Sequence, residues 1–354
     1  MRTTLLALAI LLGNTISWAG VIDYKKYSEL VNQAELKIID SKYGEALEIY
    51  NLAFDVKENP FAADLYNASI CAAYVGKLDA SMALCKKLAV KGVGSNFFKN
   101  VSAYSKLHKH REWNSNMIYA KNMRDSILRK NKNILMKIDS LVIRDQLVNH
   151  VWRESGMATK ERDMMYLTGD TISHCLKSMF ESRGFLSEDI IGPPLNESGL
   201  LSTMLPFDVI MVHNYQSRQN GDTVFTPSLR KALINGEISP DYYATIQDMG
   251  TNNGSRPYYG TVKFYFQYKC KLLLTPYNKQ RKETIDSNRA SIGLCSTDDL
   301  LKKVVYRISN PGTEFKITAQ LSILGSYADK ESEELALKEN IVMVDNIPNC
   351  TNLE

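Results

Sequence analysis

The stretch Tyr43-Gly44-Glu45-Ala46-Leu47-Glu48-Ile49-Tyr50-Asn51-Leu52-Ala53-Phe54 decides how the front of this chain folds. Tyr43, Ala46, Tyr50 and Ala53 recur at steps of three and four, so they share one face of a helix. Two of them are small enough to let a second helix approach. The order then returns. Ala34, Tyr43, Ala46, Tyr50 and Ala53 are followed by Ser69, Leu78, Ser81, Cys85 and Leu88, then by Tyr104, Trp113, Asn116, Ala120 and Met123, each set 35 residues beyond the last. Asn59-Pro60 closes the first unit, because proline cannot continue a helix and disfavours helical geometry in the residue before it.

This region resembles tetratricopeptide repeats, whose helix pairs recur at ~34 residues and stack into a curved array with a concave face. The first unit matches well; the third, around Trp113, is degenerate. The resemblance implies a docking surface for a peptide or protein partner, or else a packing scaffold for the rear half of the chain. His108-Lys109-His110 is too short for a metal site and reads as a solvated helix end. Arg129-Lys130-Asn131-Lys132 is a polar, basic break between two apolar-periodic segments, where a surface connection or a rigid helical continuation fits.

The chain has 354 residues, enough for more than one folded unit, and its 44 % apolar and 23 % charged composition is that of a globular protein rather than a disordered one. A net charge of +4 is too weak for phosphate neutralisation to drive binding, so no nucleic-acid partner is expected. Met1-Arg2-Thr3-Thr4, the apolar run Leu5 to Leu12 and Ser17-Trp18-Ala19 before Gly20 have the three regions of a secretory signal peptide, cleaved after Ala19. A buried N-terminal helix is the alternative. No segment approaches the apolar length of a membrane span. The cysteines are Cys71, Cys85, Cys175, Cys270, Cys295 and Cys350; an exported chain permits disulfides, with Cys71–Cys85 and Cys270–Cys295 as candidate pairs, while small buried hydrophobes are the blander reading.

Behind the break, Ile134, Leu135, Ile138, Leu141, Val142, Val148 and Trp152 mark an amphipathic helix, and Asp145 falls on its apolar stripe. A carboxylate there must be paired or neutral. Thr226-Pro227 opens one short helix that Gly236 closes; Ser239-Pro240 opens the next, closed by Gly250. Asp248 sits in the last turn of the second, where the helix dipole disfavours negative charge and calls for a cation such as Arg256 or Arg289. His213 follows the apolar run Val209 to Val212 and reads as either a satisfied core histidine or a base. Val262 to Leu272 and Phe315 to Ile323 alternate apolar and polar residues, as half-buried strands do, with a third strand expected near Val304 to Ile308. The tail after Ser326 reads as a solvated helix and a loose end. Sequons stand at Asn67, Asn100, Asn196, Asn253 and Asn349.

The stretch from about Ile134 to Leu294 resembles a bacterial family known only as a domain of unknown function, found in secreted proteins behind helical repeats. The likeness rests on Asp145-Gln146, Val212-His213, Ala232 to Pro240, Gln247-Asp248, Tyr259-Gly260-Thr261 and Ile285 to Leu294. Met249 and Val262 depart from it, standing where the family carries arginine and glutamine. The expected architecture is α+β and mainly α: a signal peptide over 1–19, tetratricopeptide-like repeats over 20–128, a helical domain with a small antiparallel sheet over 129–300, and a β extension and tail over 301–354. Two functions fit. The first is an exported binding module that docks a protein or peptide on its repeats. The second is an enzyme, with hydrolysis among its options, whose site gathers His213, Asp145, Asp248, Tyr259 and Arg289 as base, orienting carboxylates and anion holder. A structural ion-pair network would use the same residues. No cofactor motif, metal-ligand spacing or established catalytic signature is present.

Overall fold

A computed structural model describes residues 22–195, 204–217, 223–249, 258–261, 264–268, 270–274, 276–319, 322–324, 338, 341–345 and 347–348. The proposed signal peptide, Arg256, Cys350 and the sequons at Asn196, Asn253 and Asn349 lie outside the described residues. The chain is mainly helical, with helix pairs packing in sequence at the front and a small sheet behind. Asp23 caps α1 (Tyr24–Ile39) by accepting from the Lys26 N–H at 3.0 Å. A short turn leads to α2 (Tyr43–Val56), followed by α3 (Ala62–Tyr74) and α4 (Leu78–Val90). The third unit replaces its first helix by α5 (Ser95–Lys99) and a 3-10 helix over Ser102–Lys109, ahead of α6 (Trp113–Lys130). So α2, α4 and α6 begin at Tyr43, Leu78 and Trp113, the positions at which the sequence repeats. Ala34, Ala46, Ser69, Ser81, Cys85 and Ala120 are fully buried between helices. Polar residues at these positions link helices within and between units: the Ser81 hydroxyl donates to the Ser69 carbonyl at 2.8 Å inside the second unit, and the Ser69 hydroxyl meets the buried Tyr104 hydroxyl of the third.

Only Asn131 separates α6 from α7 (Lys132–Glu154). The polar break is therefore a near-continuous helical passage, and Asn131 is buried because its side-chain amide donates to the carbonyls of Ile127 and, at 2.7 Å, Ile190. Next come α8 (Thr159–Arg183), α9 (Glu188–Ile191), α10 (Asp208–Ser217), α11 (Thr226–Ile234) and α12 (Pro240–Met249). Proline near the start and Gly236 past the end frame α11 as expected; Gly236 takes φ +66, and the Glu237 N–H returns to the Ala232 carbonyl at 2.8 Å. Ile138, Ile172, Leu176, Phe207, Phe225 and Leu229 form the centre of this second core.

The expected strand over Val262 to Leu272 is a hairpin instead, β1 (Phe264–Tyr268) and β2 (Lys271–Leu274), turning at Cys270 with φ +59. After α13 (Lys279–Ser291) and α14 (Thr297–Ser309), β3 (Ser322–Leu324) and β4 (Ile341–Val344) complete a sheet of order β3-β1-β2-β4. The β1–β2 and β2–β4 pairs are antiparallel, and β3 joins β1 in parallel. The strand expected near Val304 to Ile308 is helix α14. Ser296 caps it by accepting from the Asp299 N–H at 3.1 Å, two aspartates fill its first turn, and Leu300, Lys303 and Val304 form its buried stripe. β4 stands where a loose end was expected.

Phe315, Ile317 and Ala319 are buried in alternation with partly exposed Lys316 and Thr318, as the period predicted, but these residues are not in the sheet. They lie against the front helices, where Phe315 and Ile317 belong to the same core as Tyr50, Leu65 and Tyr104. Neither candidate cysteine pair forms: Cys71, Cys85, Cys175 and Cys295 are free thiols, whereas Cys270 is disulfide-bonded. Among the described residues no helix is long and apolar enough to cross a membrane.

Candidate functional site

Asp145 on α7 is buried, as its place on the apolar stripe implied, and the Nδ1–H of His213 on α10 donates to its Oδ2 at 2.7 Å. Gln146 Nε2 donates to the same oxygen at 3.1 Å, and Asn149 Nδ2 donates to the Asp145 carbonyl while lying 3.2 Å from His213 Nδ1. The imidazole is 29 % exposed. With Nδ1 engaged by the carboxylate, Nε2 is the basic nitrogen, and no described residue hydrogen-bonds to it. This pair can accept or pass one proton.

Asp248, Tyr259 and Arg289 form a second group. The Asp248 carboxylate, fully buried at the end of α12, accepts from the backbone N–H of Tyr258 (2.7 Å), Tyr259 (2.9 Å) and Thr261 (2.8 Å) and from the Thr261 hydroxyl (2.8 Å). Gly260 permits this wrap by adopting φ +64. The Arg289 guanidinium, also fully buried, donates from Nη1 to the Tyr259 carbonyl at 2.9 Å, from Nε to the Cys295 carbonyl and from Nη2 to Cys295 Sγ. Burial, then the neighbouring Tyr243, Tyr258 and Asp248, raises the Tyr259 phenol well above its ordinary range. The five expected site residues thus make two hydrogen-bonded groups. The anion holder of the expected enzyme is a sealed structural residue tying a loop between α12 and α13.

The front helices carry a third arrangement, which no single residue pattern disclosed. Residues 313–319 cross them outside any helix or strand, with a bend at Phe315. Asn67 on α3, fully buried, accepts the Lys316 N–H at 2.8 Å and donates to the Lys316 carbonyl at 3.0 Å, so one amide reads both backbone groups of one residue. Two residues on, Oε1 of buried Glu35 on α1 accepts from the Thr318 N–H and hydroxyl at 3.0 and 2.9 Å. Glu314 accepts from the N–H groups of Ser102 (2.6 Å) and Ala103 (3.0 Å) at the start of the 3-10 helix, where unpaired donors favour a carboxylate. The Phe315 ring stacks on Tyr43 at 5.5 Å and meets Tyr74 edge-on at 5.8 Å. A shallow cavity of about 370 Å³ opens at the head of this segment, lined by Tyr43, Tyr74, Tyr306, Gly312 and Glu314 among others. Glycosylation at Asn67 is incompatible with these contacts.

No protein-family model, curated protein or solved structure matches this chain. Function is therefore argued from geometry.

Several charged groups escaped the sequence reading. Lys303 on α14 pairs with Glu35 Oε2 at 2.6 Å; burial pulls its ammonium down, but Glu35, Cys295 and Asp241 together hold it above the ordinary lysine value. Asp64 on α3 accepts from the Tyr27 hydroxyl at 2.5 Å, and burial pushes its carboxyl up to about 7 against that bond. Asp208 accepts from the Tyr242 hydroxyl and the Leu205 N–H, yet burial pushes it up to about 8. Lys91 joins α4 to α9 through Glu188 at 2.8 Å and Asp189 at 2.5 Å. Among the described residues no group of three His, Cys, Asp or Glu side chains is placed to hold a metal ion. The His108-Lys109-His110 end is held by other means, His110 pairing with Asp79 at 3.0 Å and His108 packing on Trp113.

Proposed function

We propose that the chain is an exported protein-interaction module whose front helices hold an extended polypeptide segment. The observation that carries this reading is the grip on residues 314–318: Asn67 and Glu35 address main-chain groups, while Tyr43 and Tyr74 address one aromatic side chain. Main-chain hydrogen bonds combined with pockets for alternate side chains are how proteins recognise extended peptides in general. Export is supported by the leader-like pattern of residues 1–19 and by the disulfide at Cys270, a bond that persists in oxidising compartments. The enzyme reading is the weaker one. His213 and Asp145 are hydrogen-bonded to each other, but Arg289, which would hold an anion, is committed with Tyr259 and Asp248 to a separate buried group.

The test uses the whole mature chain, because Phe315 and Ile317 complete the core of the front helices. A photo-crosslinking residue replaces Tyr74 beside the groove, and a second sample carries it at the exposed Tyr166 on α8. Irradiation in the native envelope fraction should give a discrete adduct at Tyr74 and none at Tyr166. Recovery of background alone, or of the same adduct at both positions, removes the proposal.

A further inference from the structure

We infer that residues 313–319 are a resident ligand of the repeat groove, and that the groove takes in their place an extended partner segment with an acidic–aromatic–x–aliphatic pattern, the pattern of Glu314-Phe315-Lys316-Ile317. This deepens the interaction-module reading and rests on it. Each position of the pattern has its receiver. The acidic residue meets two backbone N–H groups at the head of the 3-10 helix, with the Tyr74 hydroxyl donating to it at 3.2 Å. The aromatic residue enters between Tyr43 and Tyr74. The third residue is held through its backbone, by Asn67, whose amide bonds both its N–H and its carbonyl. Ile317 is buried among the front helices.

The segment is also placed to leave. It is preceded by the exposed Pro311-Gly312 turn, and the cavity of about 370 Å³ lies open along its leading end. It is not part of a sheet, so its release breaks no strand pairing. What holds it is the set of hydrogen bonds with Asn67, Glu35, Ser102, Ala103 and Arg307 and the burial of Phe315 and Ile317 in the front core, and an intramolecular segment competes at the high effective concentration that its tether confers. A partner must therefore outcompete it, and loosening the segment must raise the affinity of the groove for a free peptide.

The experiment uses the mature full chain and a fluorescent synthetic peptide spanning residues 310–320 of this sequence. Anisotropy titrations compare the unaltered chain, the variant Phe315→Ala/Ile317→Ala with its own segment disengaged, and that variant with Asn67→Ala added. Expected are saturable one-to-one binding to the disengaged variant, at least about tenfold tighter than to the unaltered chain, and a loss of about tenfold or more on adding Asn67→Ala. A peptide carrying both alanines should not bind. Equal affinity for the unaltered and disengaged chains, no binding to either, or indifference to Asn67→Ala overturns the inference. So does a stable dimer of the disengaged variant by light scattering, since a second copy would then be the occupant. Should the double variant lose its helical circular dichroism, Lys316→Pro replaces it, removing the N–H that Asn67 accepts and restricting the backbone at 315 and 316. A crosslinked partner at Tyr74 with no peptide binding would leave the interaction module standing and remove the resident ligand; the opposite result would do the reverse.

Discussion

Asp208 opens α10, where an acidic residue is ordinary because the helix dipole favours it. That is why nothing in the sequence singled it out, although its carboxyl is fully buried and pushed up to about 8 by that burial. Asp64, in the first turn of α3, escaped for the same reason. Asp145 and Asp248 were legible because each breaks a local rule: one interrupts an apolar stripe, the other stands at the wrong end of a helix. Their partners were not, since a carboxylate can be satisfied by a histidine or by a ring of backbone N–H groups, and spacing does not distinguish these. The raised value of Asp208 has a definite consequence for stability. Between the ordinary carboxyl value near 4 and about 8 the fold retains a proton that the unfolded chain has released, so the stability this group contributes is complete at the acid end and declines as the pH rises through that window. Asp208→Asn removes the decline. Urea denaturation at about pH 5 and about pH 9 should show the variant gaining on the unaltered chain toward the alkaline end, whatever fixed offset the lost acceptor introduces. Parallel pH profiles for the two proteins would exclude a protonated Asp208 in the fold.

At the scale of elements, periodicity identified the repeats because the same faces recur and neighbours in sequence are neighbours in space. It also recognised residues 315–319 as extended with one face buried. It did not say what buries them, and a period of two is equally compatible with a sheet and with a groove between helices. A strand was expected near Val304 to Ile308, but a serine cap, two first-turn aspartates and a buried stripe at Leu300 and Val304 favour the helix. Where elements meet, one glycine is decisive. Gly293 ends α13 with φ +78, returning the Leu294 N–H to the Arg289 carbonyl at 2.9 Å, and a Cβ built there would lie 2.8 Å from the Lys25 Cα of α1. Gly293→Ala incurs both the left-handed backbone penalty and a clash with main chain that cannot rotate away, on the order of 2–4 kcal/mol together. Gly312→Ala is the control, since a Cβ there meets nothing within 4 Å, and its effect should stay within about 0.5 kcal/mol. Equal midpoints for the two variants in urea would show that α1 and α13 do not meet as described.

For the molecule as a whole, the two halves are joined by contacts between residues far apart in the chain, which local patterns do not encode. Glu35 in α1 pairs with Lys303 in α14 at 2.6 Å, and its other oxygen holds Thr318, so a single carboxylate connects α1, α14 and the segment 313–319. Both side chains are almost wholly buried, at 1 % and 4 % exposure. A pair this deep costs desolvation on both partners, and its net worth is small compared with the cost of leaving one partner alone. Lys303→Met should therefore destabilise the protein by about 3–5 kcal/mol, because it leaves the buried Glu35 carboxyl without its ion-pair partner. Glu35→Gln should be milder, as Lys303 still faces Asp241 and the amide oxygen still accepts from Thr318. Combined, Glu35→Gln/Lys303→Met should recover much of the Lys303→Met loss, since neither member of the pair is then left without the other. Denaturation of the four proteins closes the cycle: a favourable coupling of more than about 1 kcal/mol places the pair in the interior of one cooperative unit, whereas additive effects would mean that the front helices and α14 separate before the chain unfolds.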